Sequence, residues 1–149
     1  MKAALHLAGP EDLDRLVALA RSCHVESGRE MDDPAREAAL QPLLDGIPHG
    51  AAYLIGPTRA PIGYIVVTFG WSVEHGGLDG FIDEIYLRPA VRGRGIASEV
   101  ILALGKVLAE AGMKALHLEV DAANDKAVRL FGRTGFESRG NLILLTRTS

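Results

Sequence analysis

The chain predicts a mixed α/β sheet with helices packed on both faces, in the order β-α-α-β-β-β-α-β-α-β-β. Three observations carry that reading. Short apolar or alternating runs of strand length are interleaved with longer runs of helical period. Glycine and proline punctuate the junctions between them. The 149 residues, 48% hydrophobic and 23% charged, suit one core in one domain spanning residues 1–149.

Lys2 to Leu7 alternates weakly and reads as the first strand. Pro10-Glu11-Asp12 opens a helix with a proline and two acids in its first turn. Leu13, Leu16, Val17, Leu19 and Ala20 give that helix its apolar stripe, and it ends before Gly28. Asp33-Pro34 starts a second helix through about Leu44. Gly50 to Ile55 and Pro61 to Phe69 read as strands joined by a hairpin connection. A loop carrying Trp71, Glu74 and Gly76-Gly77 precedes the fourth strand, Phe81 to Leu87. A glycine-containing turn, Arg92 to Ala97, leads into an apolar helix from Ile96 to Ala111, closed by Gly112. Ala115 to Val120 is the fifth strand and Asn124 to Thr134 the last helix. Short strands near Phe136–Ser138 and Leu142–Arg147 complete the order.

Composition excludes several classes. A net charge of −3 lacks the cationic footprint of a nucleic-acid binder. No apolar run reaches the roughly 18 residues of a membrane span, and the first residues carry no cleavage pattern of a signal peptide. The single cysteine, Cys23, cannot form an internal disulfide, which points to a reducing cytoplasm; on the first helix it reads as a buried, inert thiol. No cysteine–histidine spacing predicts a metal.

The segment from Ile85 to Ala97 is the most informative. A buried strand runs into a turn with two glycines, and the turn runs into a helix. Unpaired amides at a helix N-terminus favour an anion, and glycine lets the main chain approach a pyrophosphate. Arg92 and Arg94 add charge that can answer phosphates. The bland alternative is a tight turn with arginines in solvent. An ATP-binding P-loop is excluded because no Gly-Lys-Ser/Thr follows, and G-x-G-x-x-G is only partly met, since Ser98 stands at its last position.

Arg92-Gly93-Arg94-Gly95-Ile96-Ala97 resembles the R/Q-x-x-G-x-G/A signature of the GNAT superfamily of acyl-CoA-dependent acyltransferases. Leu118-Glu119-Val120, then Asn124, Ala127, Leu130-Phe131 and Gly135-Phe136, is similar to a second pattern of that superfamily, and the element order matches it across essentially the whole chain. The resemblance implies a sheet splayed between the fourth and fifth strands. The main chain of Ile85, Tyr86 and Leu87 would then hold the pantetheine of acetyl-CoA, and the amides of Arg92, Gly93, Arg94, Gly95, Ile96 and Ala97 its pyrophosphate. Asn124 would cap its helix, bond the cofactor arm, or both. Phe131 stands where many members carry a tyrosine that protonates the leaving thiolate.

The implied function is an N-acetyltransferase moving acetyl from acetyl-CoA to a primary amine by direct attack in a ternary complex. Backbone amides of the splayed strand would stabilise the oxyanion, and a carboxylate or a water would take the amine proton. The candidate carboxylates are Asp83, Glu84 and Glu119. Strand alternation sets Asp83 with Phe81, Ile85 and Leu87, and Glu84 with Ile82 and Tyr86. In the fifth strand His117, Glu119 and Asp121 share a polar face, as a wet cleft requires. Glu26, Trp71 and Glu74 are expected at a cationic acceptor, through carboxylates and a cation–π contact; covering the core and solvating loops is their plainer role. His75 reads as a solvated loop histidine. The partners implied are acetyl-CoA and a small amine or peptide, with no nucleic acid, membrane or metal, and a homodimer by analogy. The missing hydroxyl at Phe131 motivates a rival, a non-catalytic acyl-CoA sensor; a nucleotide-binding protein is a weaker one.

Overall fold

The computed structural model describes residues 4–149, so Lys2 and Ala3 of the expected first strand lie outside it. The chain forms two compact units, one ending at Glu119 and the other running from Val120 to Ser149.

The first unit is built on a five-stranded sheet ordered β1-β2-β3-β4-β5: β1 Leu5–Leu7, β2 Gly50–Ile55, β3 Gly63–Ser72, β4 Gly77–Leu87 and β5 Ala115–Leu118. The first four pair antiparallel and β5 joins β4 in parallel. Three helices accompany them: α1 Leu13–Glu26, α2 Asp33–Leu44 and α3 Ile96–Glu110.

Local chemistry explains where the helices begin. A 3-10 turn at Pro10–Asp12 precedes α1, and the Gly9 amide donates to the Asp12 carboxylate at 2.9 Å. Asp32 caps α2 by accepting from the Ala35 amide at 2.9 Å, with a proline in the first turn. The α1 stripe Leu16, Val17, Leu19, Ala20 and Cys23 is buried with Leu40 and Leu44 of α2 against Ala52, Leu54, Tyr64, Val66 and Tyr86. The opposite sheet face carries Ile65 and Val67, fully buried, and α3 contributes buried Ile96, Val100, Leu104 and Leu108.

Two features of the strands differ from the expected ones. The β3–β4 hairpin is longer, because the segment expected as a loop at Trp71 and Gly77 pairs instead: Gly70 opposite Asp79, Trp71 opposite Leu78, Ser72 opposite Gly77. The second concerns alternation in β4. Val66 pairs with Glu84 while its neighbour Val67 pairs with Ile82, so Asp83 is an extra residue, a β-bulge. Since Val66 and Val67 point to opposite faces, so do Glu84 and Ile82. The expectation that these two share a face is therefore corrected: strict alternation fails where a residue is inserted.

The second unit contains one helix, α4 Asp125–Arg133, capped by Asn124, whose side-chain oxygen accepts from the Ala127 amide at 3.1 Å. Phe131 packs edge-on against Phe136, ring centroids 6.0 Å apart. The strands expected near Phe136–Ser138 and Leu142–Arg147 do not form. Strand propensity in Leu142-Ile143-Leu144-Leu145 is not enough without a ladder to satisfy the backbone, and these four side chains are exposed.

Candidate active site

The site begins where β4 and β5 part. Their pairing runs Asp79–Ala115, Gly80–Leu116, Phe81–His117 and Ile82–Leu118, and stops there. Asp83 to Leu87 of β4 then continue with their β5-facing edge without a strand partner among the described residues, a length of roughly 16 Å at strand rise. The bulge at Asp83 sits at the first residue past the last pair. A strand edge that opens at a bulge offers main-chain amides and carbonyls to an extended ligand.

At its far end β4 delivers the chain to the glycine turn. Gly93 and Gly95 have φ of 77° and 78°, in the left-handed region that favours glycine, and no atom lies within 4 Å of where a Cβ would stand. Conformation, not crowding, selects glycine here. Gly95 is the N-cap of α3 and supplies no side-chain cap, so the first-turn amides stay available to an anion. Ile96 is buried and anchors the helix start, while Arg94 is exposed.

The Arg92 side chain is engaged by groups of this same chain. Its Nε donates to the Leu87 carbonyl at 2.9 Å, and its terminal nitrogen donates to both oxygens of Glu26 at 2.8 Å. Its guanidinium also lies 5.5 Å from the centroid of the Tyr86 ring. The arginine thus ties the end of α1 to the end of β4, and Glu26 is engaged by a cation of this same chain.

The candidate carboxylates separate clearly. Glu84 accepts from the Tyr64 hydroxyl at 2.6 Å, His24 Nε2 at 2.8 Å and Arg29 at 2.7 Å. Behind it, Arg36 Nε donates to His24 Nδ1 at 3.0 Å, which places the imidazole proton on Nε2, facing Glu84. Arg36 is buried and bonds Asp33 and the Met31 carbonyl as well, so the cluster joins α1, α2 and the sheet. Burial and the Glu84 carboxylate together push the Tyr64 hydroxyl far above its ordinary value, and burial raises the Cys23 thiol.

Asp83 is exposed at the bulge. Partial burial of its carboxyl and then the neighbouring Glu84 charge raise its pKa, against the pull of Arg29 and His24. Glu119 lies one residue past the end of β5, which stops at Leu118, and is exposed.

The residues expected at the acceptor do not gather in one place. Trp71 is 74% exposed and, by alternation along β3, faces away from Glu84. Glu74 lies in the β3–β4 connection and Glu26 at the end of α1. A group that sequence reasoning missed lies instead on the Glu84 face of the hairpin. Asp79 Oδ2 and His117 Nε2 are 3.2 Å apart, and the His117 ring lies tilted, centroids 5.6 Å apart, against that of His75, whose Nδ1 bonds the Ser72 hydroxyl. His75 is therefore packed, not simply solvated. The polar face of the fifth strand was the available signal for His117; nothing local marked Asp79.

Among the described residues no group of His, Cys, Asp and Glu could hold a metal, and no helix is long and apolar enough to cross a membrane.

An open strand edge runs into a glycine turn at a helix N-terminus, a geometry suited to an extended ligand that ends in phosphates. The family model described as Acetyltransferase (GNAT) family matches residues 13–136, and the chain belongs to that family. It is 39% identical over 57 residues to N-alpha-acetyltransferase MAK3 of Arabidopsis thaliana, 38% of this chain and 30% of that protein. To the mycothiol acetyltransferase of Propionibacterium freudenreichii it is 28% identical over 132 residues, 85% of this chain and 40% of that one. The matches thus span less than half the length of either curated relative. Among solved structures, an integron cassette protein from the mobile metagenome of Cole Harbour Salt Marsh, HFX_CASS3, shares 30% identity and a TM-score of 0.85, over 97% of this chain and 90% of that one. The aminoglycoside N-acetyltransferase AAC(6')-Iy, solved with CoA, shares the fold at 17% identity and a TM-score of 0.81, over 99% and 95% of the two chains.

Proposed function

We propose that the protein is an N-acetyltransferase that moves acetyl from acetyl-CoA to a primary amine by direct attack, with both substrates bound together. The observation that carries this is the β4 edge, unpaired from the Asp83 bulge onward and running directly into the Gly93–Gly95 turn. The residues present fit the cosubstrate. Amides and carbonyls along Ile85, Tyr86 and Leu87 suit the amide-rich pantetheine arm, laid down like an added strand. The amides from Gly93 to Ala97, with Arg94, suit the pyrophosphate. Arg92 acts indirectly, holding the strand end and α1 in register while its guanidinium pairs with Glu26.

Main-chain amides at the bulge are the donors for the thioester oxygen as charge develops on it. Glu84, with three donors on it, fixes the sheet to α1 and α2. Asp83, at the mouth of the gap and free of such donors, attracts the ammonium of the acceptor. In α4, Phe131 offers no hydroxyl, and CoA thiolate leaves without an acid because thiols have a pKa near 8.5. That same phenylalanine, committed to packing on Phe136, favours the rival reading of an acyl-CoA sensor.

Acceptor-dependent release of CoA thiol from acetyl-CoA, followed over a panel of small amines and short peptides, tests the proposal. Transfer to one acceptor class is the expected result. Tight binding of acetyl-CoA without transfer to any acceptor would favour the sensor, and absence of binding would overturn both.

A further inference from the structure

We propose that His117, oriented by Asp79, is the general base of the transfer, and that the cavity these residues line seats a compact primary amine. The assignment rests on the transferase reading above and deepens it.

The cavity, about 140 Å³, is lined by Thr68, Phe69 and Gly70 of β3, Asp79, Gly80 and Phe81 of β4, and His117 of β5. Alternation along β3 puts Thr68 and Gly70 on the face of Val66, and Val66 stands opposite Glu84. The cavity therefore opens on the Glu84 side of the sheet. Its place along the strands matters more. Phe81–His117 is the pair immediately before Ile82–Leu118, where β4 and β5 separate. His117 thus stands about one strand residue, roughly 3.4 Å, behind the apex of the gap. An acyl thioester lying along β4 with its phosphates at the glycine turn brings its reactive end to that apex.

The lining fits an amine. Asp79 and His117 are partly buried, with side chains 20% and 34% exposed, so their interaction is less screened than a surface pair. Gly70 makes room for the acid: a Cβ there would come within 2.9 Å of Asp79 Oδ1. With its proton on Nε2 facing Asp79 at 3.2 Å, neutral His117 keeps Nδ1 as its basic nitrogen. Thr68, the Phe81 ring and the backbone of Phe69, Gly70 and Gly80 bound a space suited to a small substituent, not a branched or bulky one. Glu84 cannot serve as the base without giving up three donors, and Glu119 lies beyond the strand.

The step balances without any further reactant. An acceptor ammonium gives one proton to His117 Nδ1, and Asp79 stabilises the imidazolium. The amine nitrogen uses the freed lone pair to bond the thioester carbon. The C–S bond breaks, its electron pair leaves on sulfur, and the second nitrogen proton passes to that thiolate to give CoA thiol. His117 then returns its proton to solvent.

Glycinamide, a compact primary amine, serves as the probe acceptor with acetyl-CoA. Replacing His117→Ala is expected to lower kcat for glycinamide about a hundredfold or more, the usual scale of general-base catalysis. Acetyl-CoA affinity by calorimetry should stay within twofold, and added imidazole should restore part of kcat. Asp79→Asn should reduce kcat in the same direction without imidazole rescue. A His117→Ala protein within threefold of the wild type, or a large loss that imidazole does not touch in a protein of unchanged melting temperature, overturns this assignment alone. A wild-type protein that binds acetyl-CoA but acetylates nothing refutes the transferase reading and this assignment with it.

Discussion

A carboxylate that receives three donors is a different chemical object from one left to solvent, and Glu84 and Asp83 place the two side by side. Glu84 is held by Tyr64, His24 and Arg29. Its neighbour at the bulge instead has its pKa raised, by partial burial first and by the Glu84 charge second. A raised carboxyl pKa means that the fold binds the Asp83 proton more tightly than the unfolded chain does. The stability this contributes is complete below the ordinary aspartate value and is lost as pH rises through the raised one. Asn mimics the neutral acid, so Asp83→Asn and the wild type should melt alike near pH 3.5 and diverge above about pH 4, the variant being the more stable at pH 7. Melting temperatures of both proteins from pH 3.5 to 8 check this. A variant less stable at pH 7 would mean that Arg29 and His24 outweigh burial. Alternation in the sequence set Asp83 and Glu84 on opposite faces, but which of them carries donors was not legible, because Tyr64, His24 and Arg29 come from β3, α1 and the segment after α1.

Among the elements, those whose signals are local were legible. The helix starts follow from Pro10, Asp33-Pro34 and Asn124, and the stripe of α1 from its 3.6-residue period. The bulge was not, because an inserted residue shows itself only against the register of its partner strand. Nor was the absence of strands after Gly135, since strand formation depends on a ladder and Leu142–Leu145 spells only the propensity for one. The glycine turn lies at the legible end, and it makes a specific demand. With φ near 78° and open space around it, Gly95 pays a conformational but no steric penalty on gaining a methyl group. The left-handed conformation costs an alanine about 1–2 kcal/mol. Gly95→Ala should therefore shift the turn away from the geometry that aims the first amides of α3 at phosphate. Acetyl-CoA affinity by calorimetry is expected to fall about tenfold, the equivalent of 1.4 kcal/mol. Unchanged affinity would show that the pyrophosphate is held elsewhere.

For the whole molecule, the proposed cosubstrate site joins parts that follow one another along the chain: the bulge and open edge of β4 and the glycine turn beyond its end. Arg92 links this strand end to α1 through Glu26, and Glu84 links the bulge to α1, to β3 through Tyr64, and to α2 through His24 and Arg36. A ligand filling the β4 edge therefore binds a structure that exists only when helices and sheet are assembled. Such a ligand stabilises the native state by mass action, about 2.7 kcal/mol at one hundred times its Kd. Acetyl-CoA at that concentration should raise the melting temperature by several degrees. Adenosine 3'-phosphate 5'-diphosphate, which keeps the pyrophosphate but lacks the pantetheine arm, should give a smaller rise, because it reaches the glycine turn but leaves Asp83 to Leu87 uncovered. Comparable rises from the two would place the binding energy in the nucleotide alone. The open edge of β4 would then be no part of the cosubstrate site, whatever the turn contributes.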